Sequence, residues 1–169
     1  MGGSAGQVSK EIARSAPYLR FVVQDQPLMV SKGEAELEAM FKHRFTFQAH
    51  DLFDENPQDA PAVFFLRLIL HDWPDQDAIS ILRRLIPKMG PNTRLLINDA
   101  VMPESGTVHP LQEKYIRNVD MMMLSMFNGL ERTQEDWDDL VRETDLALKI
   151  ASVTKPRGSA LSMIEVVKR

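Results

Sequence analysis

The chain has 169 residues, of which 44% are apolar and 26% charged, with a formal net charge of −4. That size and balance suit one globular domain with a real core, and the small negative charge gives no electrostatic case for nucleic acid or an anionic membrane as partner. There is no cysteine, hence no disulfide frame or thiolate chemistry, and with no membrane-length apolar run and no leading signal segment the chain reads as a cytoplasmic protein.

Met1-Gly2-Gly3-Ser4-Ala5-Gly6 comes first, and Val8, Ile12 and Ala13 follow with helical spacing. A glycine-rich turn entering a helix brings backbone close to a ligand and aims free N–H groups at it; the same letters also read as an expression linker. Leu19 to Asp25 is a β-branched and aromatic run, the pattern of a buried parallel strand. Asp25 ends it at close to the spacing of about 20 residues at which an acidic residue of dinucleotide folds takes a pair of ribose hydroxyls. A carboxylate can accept from both hydroxyls at once; the alternative is a strand-end Asp that starts a turn at Pro27. Residues 31–42 read as a charged helix with Glu34, Glu36 and Glu38 outward, and Phe45 to Phe53 as a strand with a polar exit through His50 and Asp51. His50 is expected to be exposed, and His43 and His109 have no partner pattern.

Residues 56–60 form a polar loop, and the stretch Phe64-Phe65-Leu66-Arg67-Leu68-Ile69-Leu70-His71-Asp72-Trp73-Pro74-Asp75 comes next. An apolar run of strand length breaks into a polar turn. Pro74, Asp75 and Asp77 then open a helical pattern that sets Ile79, Leu82, Leu85, Ile86 and Met89 on one face. His71 thus lies at the carboxyl end of a strand, where ligands sit in open α/β sheets. Histidine is the side chain best suited to move a proton near neutral pH; capping the turn is its alternative use. Arg67 is a charge inside the apolar run. A buried arginine needs a partner, whereas one at the strand edge can reach solvent. Trp73 reads as a cover over a ligand or as packing.

Arg94 to Asp99 is the next strand, with Asp99 at its end, and residues 102–110 form a polar loop. A helix with Leu111, Tyr115, Val119, Met122, Met123 and Met126 follows. A methionine stripe at helical spacing reads either as core or as a wall for a flat aromatic substrate. Asn128-Gly129-Leu130-Glu131-Arg132-Thr133 leads into a further helix, where Thr133 and Asp136 have capping-box spacing ahead of Trp137, Leu140 and Val141. Two β runs, 146–153 and 161–167, flank Pro156-Arg157-Gly158.

Leu66 to Asp75, taken with Gly-Leu-Glu-Arg-Thr at 129–133, resembles the signature of the S-adenosylmethionine-dependent O-methyltransferases of the plant caffeate/flavonoid and fungal natural-product type. The resemblance covers essentially the whole chain. It implies an α/β fold, a Rossmann-like class I methyltransferase sheet closed by an antiparallel hairpin. S-adenosylmethionine is the implied cofactor. Gly2, Gly3 and Gly6 match the family's cofactor loop, Asp25 its ribose carboxylate, Asp51 and Leu52 its adenine contacts, and Arg67 a position at the cofactor site. The catalytic group is implied to be His71 as general base with the carboxylates Asp99 and Glu131, of a kind that fix an imidazole tautomer and stabilise its protonated form. No metal is required, and the implied partner is a small hydroxylated aromatic or natural-product acceptor.

The chain departs from the family at its start. The acidic residue and strand that precede the glycine loop are missing from it, and so is the helical N-terminal dimerisation domain. Residues 1–169 are therefore expected to be a partial cofactor-binding catalytic domain that lacks the first strand of the sheet, from a parent expected to be a homodimer. Two alternatives differ in kind: a fragment without activity, and a methyltransferase fold turned to a non-methylating reaction such as a pericyclisation.

Overall fold

A computed structural model describes residues 1–169. The chain forms two compact units, Met1–Asn56 and Pro57–Arg169.

The first unit holds α1 (Gln7–Ser15), β1 (Phe21–Asp25), α2 (Pro27–Ala35), a 3-10 turn at Ala39–Phe41 and β2 (Phe45–Ala49). β1 and β2 pair in parallel, from Phe21 opposite Phe45 to Asp25 opposite Ala49. Ala13, Val23, Phe41, Phe45 and Phe47 make its core, with Phe21, Val30 and Leu37 packed against it. The Phe21 and Phe45 rings stack at 4.8 Å between centroids. Arg44 donates to the carbonyls of Ala13, Ala16 and Leu19, so a cation satisfies the negative end of α1. The helix expected over 31–42 lies instead at Pro27–Ala35. Pro27 begins it because its fixed φ and missing N–H suit the first helical position. Beyond Ala35 the chain turns back, and Leu37 and Phe41 reach the core.

The second unit runs β3 (Val63–Arg67), a 3-10 turn at Leu70–Asp72, α3 (Asp75–Arg83), a 3-10 turn at Ile86–Lys88, β4 (Arg94–Asp99), α4 (Pro110–Phe127), α5 (Gln134–Thr144), β5 (Leu148–Thr154) and β6 (Ser162–Lys168). Its sheet has the order β3-β4-β6-β5. β3 and β4 are parallel, and β6 is antiparallel to both β4 and β5. The strands are thus α/β in arrangement with one reversed strand, as expected. Leu66, Leu95, Ile97 and Ile164 from the sheet, Leu70, Ile81, Leu82 and Leu85, and Trp137 and Val141 from α5 are almost fully buried. The helical pattern read through to Met89 breaks at Arg84. Pro87 cannot donate and restricts the residue before it, and residues 86–88 close as a 3-10 turn. Thr133 and Asp136 do form a reciprocal capping box at the start of α5.

α4 corrects the core reading of the methionine stripe. Only Met123 of that helix is buried; Leu111, Tyr115, Met122 and Met126 are exposed. No helix is long and apolar enough to cross a membrane.

Candidate active site

His71 lies in the 3-10 turn that follows β3. The strand leaves through Leu68, which has left-handed backbone (φ 52°) and donates its N–H to the Asn98 carbonyl at 3.2 Å. A β-carbon on a left-handed L-residue costs roughly 1–2 kcal/mol, so the surroundings must hold this turn. They do so chiefly through residues 129–132. Leu130 N–H donates to the His71 carbonyl at 3.0 Å. Arg132, fully buried, donates Nη1 to the Leu70 carbonyl at 2.8 Å and Nη2 to the Trp73 carbonyl at 2.9 Å. Its Nε and Nη2 both reach Asp75 Oδ1, at 2.9 and 2.8 Å. The guanidinium lies over the Trp137 ring, 5.3 Å from the centroid. Gly129 has no alternative: a β-carbon there would meet the His71 carbonyl oxygen at 2.0 Å. Two further bonds tie the segment outward. The Met102 N–H donates to the Arg132 carbonyl at 2.8 Å, and the Glu131 N–H donates to Asp120 Oδ1 on α4 at 2.8 Å.

The imidazole is fixed by Glu131. Nδ1 lies 2.9 Å from Glu131 Oε1, and Nε2 lies 3.5 Å from Asp72 Oδ1. With Glu131 ionised, this network assigns the proton to Nδ1 and leaves the Nε2 lone pair free to accept. Asp99 behaves differently from what its strand-end position suggested. It is fully buried, and neither of its carboxylate oxygens makes a hydrogen bond of ordinary geometry, to the imidazole or to any other group. The Leu70 backbone amide still favours its ionised form, without outweighing burial. Asp99 therefore works on His71 by charge, and Glu131 sets the tautomer. Glu131 Oε2 is likewise buried without a partner.

The charges follow from this packing. Burial pulls the His71 pKa down, but the Glu131 hydrogen bond and the charges of Asp99, Glu131 and Asp72 outweigh it, and the net shift is upward. Burial pushes the Asp99 carboxyl up to about 6; the His71 charge opposes that and the Glu131 charge adds to it. Asp72 is raised too, first by burial.

The glycine turn is built at the end of β1. Gly3 N–H donates to the Gln24 carbonyl at 3.1 Å, and a β-carbon on Gly3 would sit 2.7 Å from Val23 Cγ1. Gly2 is left-handed at φ 59°. Ser4 N–H donates to Asp25 Oδ2 and Gln26 N–H to Asp25 Oδ1, each at 2.8 Å. His50 N–H donates to the Asp25 carbonyl at 3.0 Å, which sets Asp51 and Leu52 at the exit of β2 beside the same strand end. Asp51 is exposed, and its Oδ1 accepts from Phe53 N–H at 2.9 Å. A close turn, a half-exposed carboxylate with lone pairs beyond its two amides, and a second carboxylate with an apolar neighbour fit the demands of an adenosyl group. His50 departs from the expected exposure. It is half-buried, with Nε2 enclosed and unpartnered, and burial lowers its pKa against the pull of Asp54 and Asp51.

Arg67, in the second unit, is exposed at the end of β3 and donates Nε to Asn98 Oδ1 at 3.0 Å. His43 is exposed, and His109 caps α4, its Nδ1 accepting from Leu111 N–H at 3.3 Å. Within the second unit His71, Asp99 and Glu131 come together; within the first, Gly2, Gly3, Asp25, Asp51 and Leu52 do. Sequence reasoning gave no role to Gly129, Arg132 or Asp120. The only signal for the first two was their place in the Gly-x-Glu-Arg-Thr motif, and Asp120 had none.

The profile of the O-methyltransferase domain matches residues 1–146. The Grayanic acid biosynthesis cluster O-methyltransferase of Cladonia grayi is 42% identical over 169 residues, covering 99% of this chain and 37% of that protein. O-methyltransferase FrzF of Cladobotryum sp is 46% identical over 168 residues, covering 99% of this chain and 39% of that protein. The chain thus spans well under half the length of these relatives. Among solved structures, TnmH superposes with a TM-score of 0.88 at 30% identity, covering 100% of this chain and 48% of that one. LepI, in its complex with SAM, superposes with a TM-score of 0.87 at 25% identity, over 99% of this chain and 41% of that one. With the domain profile covering most of its length, the chain belongs to the O-methyltransferase domain family.

Proposed function

We propose that this protein carries the catalytic site of an S-adenosylmethionine-dependent O-methyltransferase that methylates a hydroxyl of a small aromatic or natural-product acceptor, with His71 as general base. The observation that carries this reading is the 2.9 Å contact between His71 Nδ1 and Glu131 Oε1. It points the lone pair of Nε2 away from the carboxylate that orients the ring.

A phenolic hydroxyl has a pKa of about 10 and a free histidine about 6.5, so proton transfer between them is uphill by about 5 kcal/mol. The raised His71 pKa narrows that gap. Nε2 takes the hydroxyl proton, Nδ1 keeps its own against Glu131, and the imidazolium that forms is stabilised by Glu131, Asp99 and Asp72. When bound, S-adenosylmethionine supplies an electrophilic methyl carbon on a cationic sulfur. Gly2, Gly3 and Asp25 would hold it, with Asp51 and Leu52 at its base and Arg67 assigned there on the resemblance. The exposed Tyr115, Met122 and Met126 of α4 support a flat apolar acceptor, since thioethers adapt their shape to ring faces.

The test is His71→Gln, assayed for methyl transfer to a panel of phenols, with S-adenosylhomocysteine binding followed by calorimetry. Turnover should fall by about 10²–10⁴-fold while cofactor affinity stays within a few fold. A variant within about tenfold of the parent's rate would remove His71 as base. A parent that binds cofactor but methylates no hydroxyl would point instead to a non-methylating reaction on this fold.

A further inference from the structure

Glu131 holds the imidazole, and what holds Glu131 is unequal along its length. Its Oε1 is engaged with His71, but Oε2 has no partner. No second hydrogen bond fixes the buried carboxylate, so within its packing its aim at His71 depends on where its backbone is held. On either side that backbone is pinned through neighbours: the Leu130 N–H by the His71 carbonyl and the Arg132 carbonyl by the Met102 N–H. At residue 131 itself the bond is the one its N–H donates to Asp120 Oδ1, at 2.8 Å. Asp120 lies on α4, whose last turn closes at Asn128 with left-handed backbone (φ 56°) before Gly129 slides under the His71 carbonyl. A tilt of the 131 peptide would carry the buried carboxylate off Nδ1, because its one hydrogen bond is the contact with His71 itself.

We propose that Asp120 is a positioning residue for the base: by accepting the Glu131 N–H it holds the peptide from which the Glu131 carboxylate reaches His71. In its effect on turnover the proposal rests on the methyl-transfer reading above. In its effect on His71 itself it does not, and the experiment separates the two.

Asp120→Ala removes the acceptor, whereas Asp120→Asn removes the charge but keeps a carbonyl oxygen in place. The readout is titration of the His71 imidazole by NMR, its signal assigned through His71→Gln. Three groups face that ring: Glu131 from the segment after α4, Asp99 from the end of β4, and Asp72 from its own turn. All three remain in both variants. In Asp120→Ala the His71 midpoint should fall by about half a unit or more as the Glu131 contact loosens; in Asp120→Asn it should stay near the parent value. Where methyl transfer is measurable, the alanine variant should lose about tenfold or more in kcat with the cofactor KM unchanged, and the asparagine variant should recover most of it. In the parent, amide exchange at Glu131 should be slow. An unshifted His71 midpoint in folded Asp120→Ala, an asparagine variant as impaired as alanine, or a fast-exchanging Glu131 amide would each overturn the proposal. If Asp120→Ala fails to fold, the asparagine variant and the exchange measurement decide. A parent without methyl transfer would sink the functional reading and leave the titration result standing.

Discussion

Asp25 and Asp99 each end a parallel strand, and they share nothing else. Asp25 is half-exposed and each of its oxygens takes one backbone N–H, from Ser4 and from Gln26. Asp99 is fully buried and neither oxygen has a partner. The first is a settled acceptor with capacity left for a ligand's hydroxyls. The second is a charge held at a cost, since an unpaired buried carboxylate loses its hydration without recompense. A strand end decides where a carboxylate is placed in this fold; the loop packed above it decides what that carboxylate can do. The glycine turn brings amides to Asp25. The turn above Asp99 seals it from water, and with the Glu131 charge nearby its proton affinity rises against the pull of His71.

The comparison can be broken hardest at the support of the His71 turn. Arg132→Met should strip the hydrogen bonds from the Leu70 and Trp73 carbonyls and from Asp75, destabilising the protein by about 3–5 kcal/mol. At this chain length that lowers Tm by on the order of 10 °C. Scanning calorimetry reads it, and an unchanged melt would mean that the turn is held by something other than this buried cation.

Asp25→Ala tests the other side. It should weaken S-adenosylhomocysteine by more than about tenfold, for the loss of charge-assisted hydrogen bonds worth about 1.5–3 kcal/mol. Asp99→Ala should leave that affinity within a few fold. Equal losses in the two variants would erase the distinction between a binding and a tuning carboxylate.

Asp99→Asn turns on pH. The folded pKa is pushed up to about 6, above the value of about 3.9 expected when unfolded. Between those values the folded state holds the extra proton, so stability falls as pH rises through the window and stays reduced above it. Asparagine removes the penalty. Relative to the parent it should gain about 1–3 kcal/mol at pH 8 and nothing below pH 4, by denaturant titration at the two pH values. His71 runs in the same direction. Its folded pKa is raised, so its contribution is whole below about 6.5 and is lost as pH rises through the folded value. Asp99→Asn should also lower the His71 midpoint, since one of the charges that raises it is gone.

The smallest effect is expected at Leu68→Gly. Relief of the left-handed strain, roughly 1–2 kcal/mol, is set against lost side-chain burial and the flexibility of glycine, about 1 kcal/mol. The net change should stay within about 1 kcal/mol. A larger loss by chemical denaturation would show that the Leu68 side chain itself shapes the His71 turn.

What could be read from the sequence was local or repeated. The strands to Asp25 and Asp99 announced themselves as apolar runs, the run through Arg67 was read on toward His71 although the strand ends at Arg67, and the capping box at Thr133 needs residues only three apart. His71 and Glu131 were found because each stands in a recognisable string. The misreadings have physical sources. Glu34, Glu36 and Glu38 suggested a helix over 31–42, but Pro27 started it early and the core drew Leu37 and Phe41 out of helical register. Asp120 meets Glu131 across the end of a helix, and Arg132 meets partners 57 to 62 residues away in the chain. No local pattern encodes such contacts. The unpartnered state of Asp99 was equally illegible, because a missing hydrogen bond leaves no mark on composition or spacing.

The order of strands in the second sheet bears on when this protein can fold. β6, Ser162–Lys168, is the last strand in the chain but lies inside the sheet, between β4 and β5. β5 joins the sheet only through it. Lys168 also donates to the carbonyls of Ile86 and Met89, and Arg169 N–H to that of Ala147. On a ribosome, where a chain emerges at about 5–20 residues per second, β3 and β4 can pair early while β5 has nothing to pair with until residues 162–168 are clear of the exit tunnel. The closing contact spans 79 to 82 residues, a long-range step of the kind that slows folding. Arrested nascent chains should therefore resist protease over the second unit only when the stall lies beyond β6 by at least the length of the tunnel. Protection that appears with β6 still enclosed would mean that the sheet does not wait for its last strand.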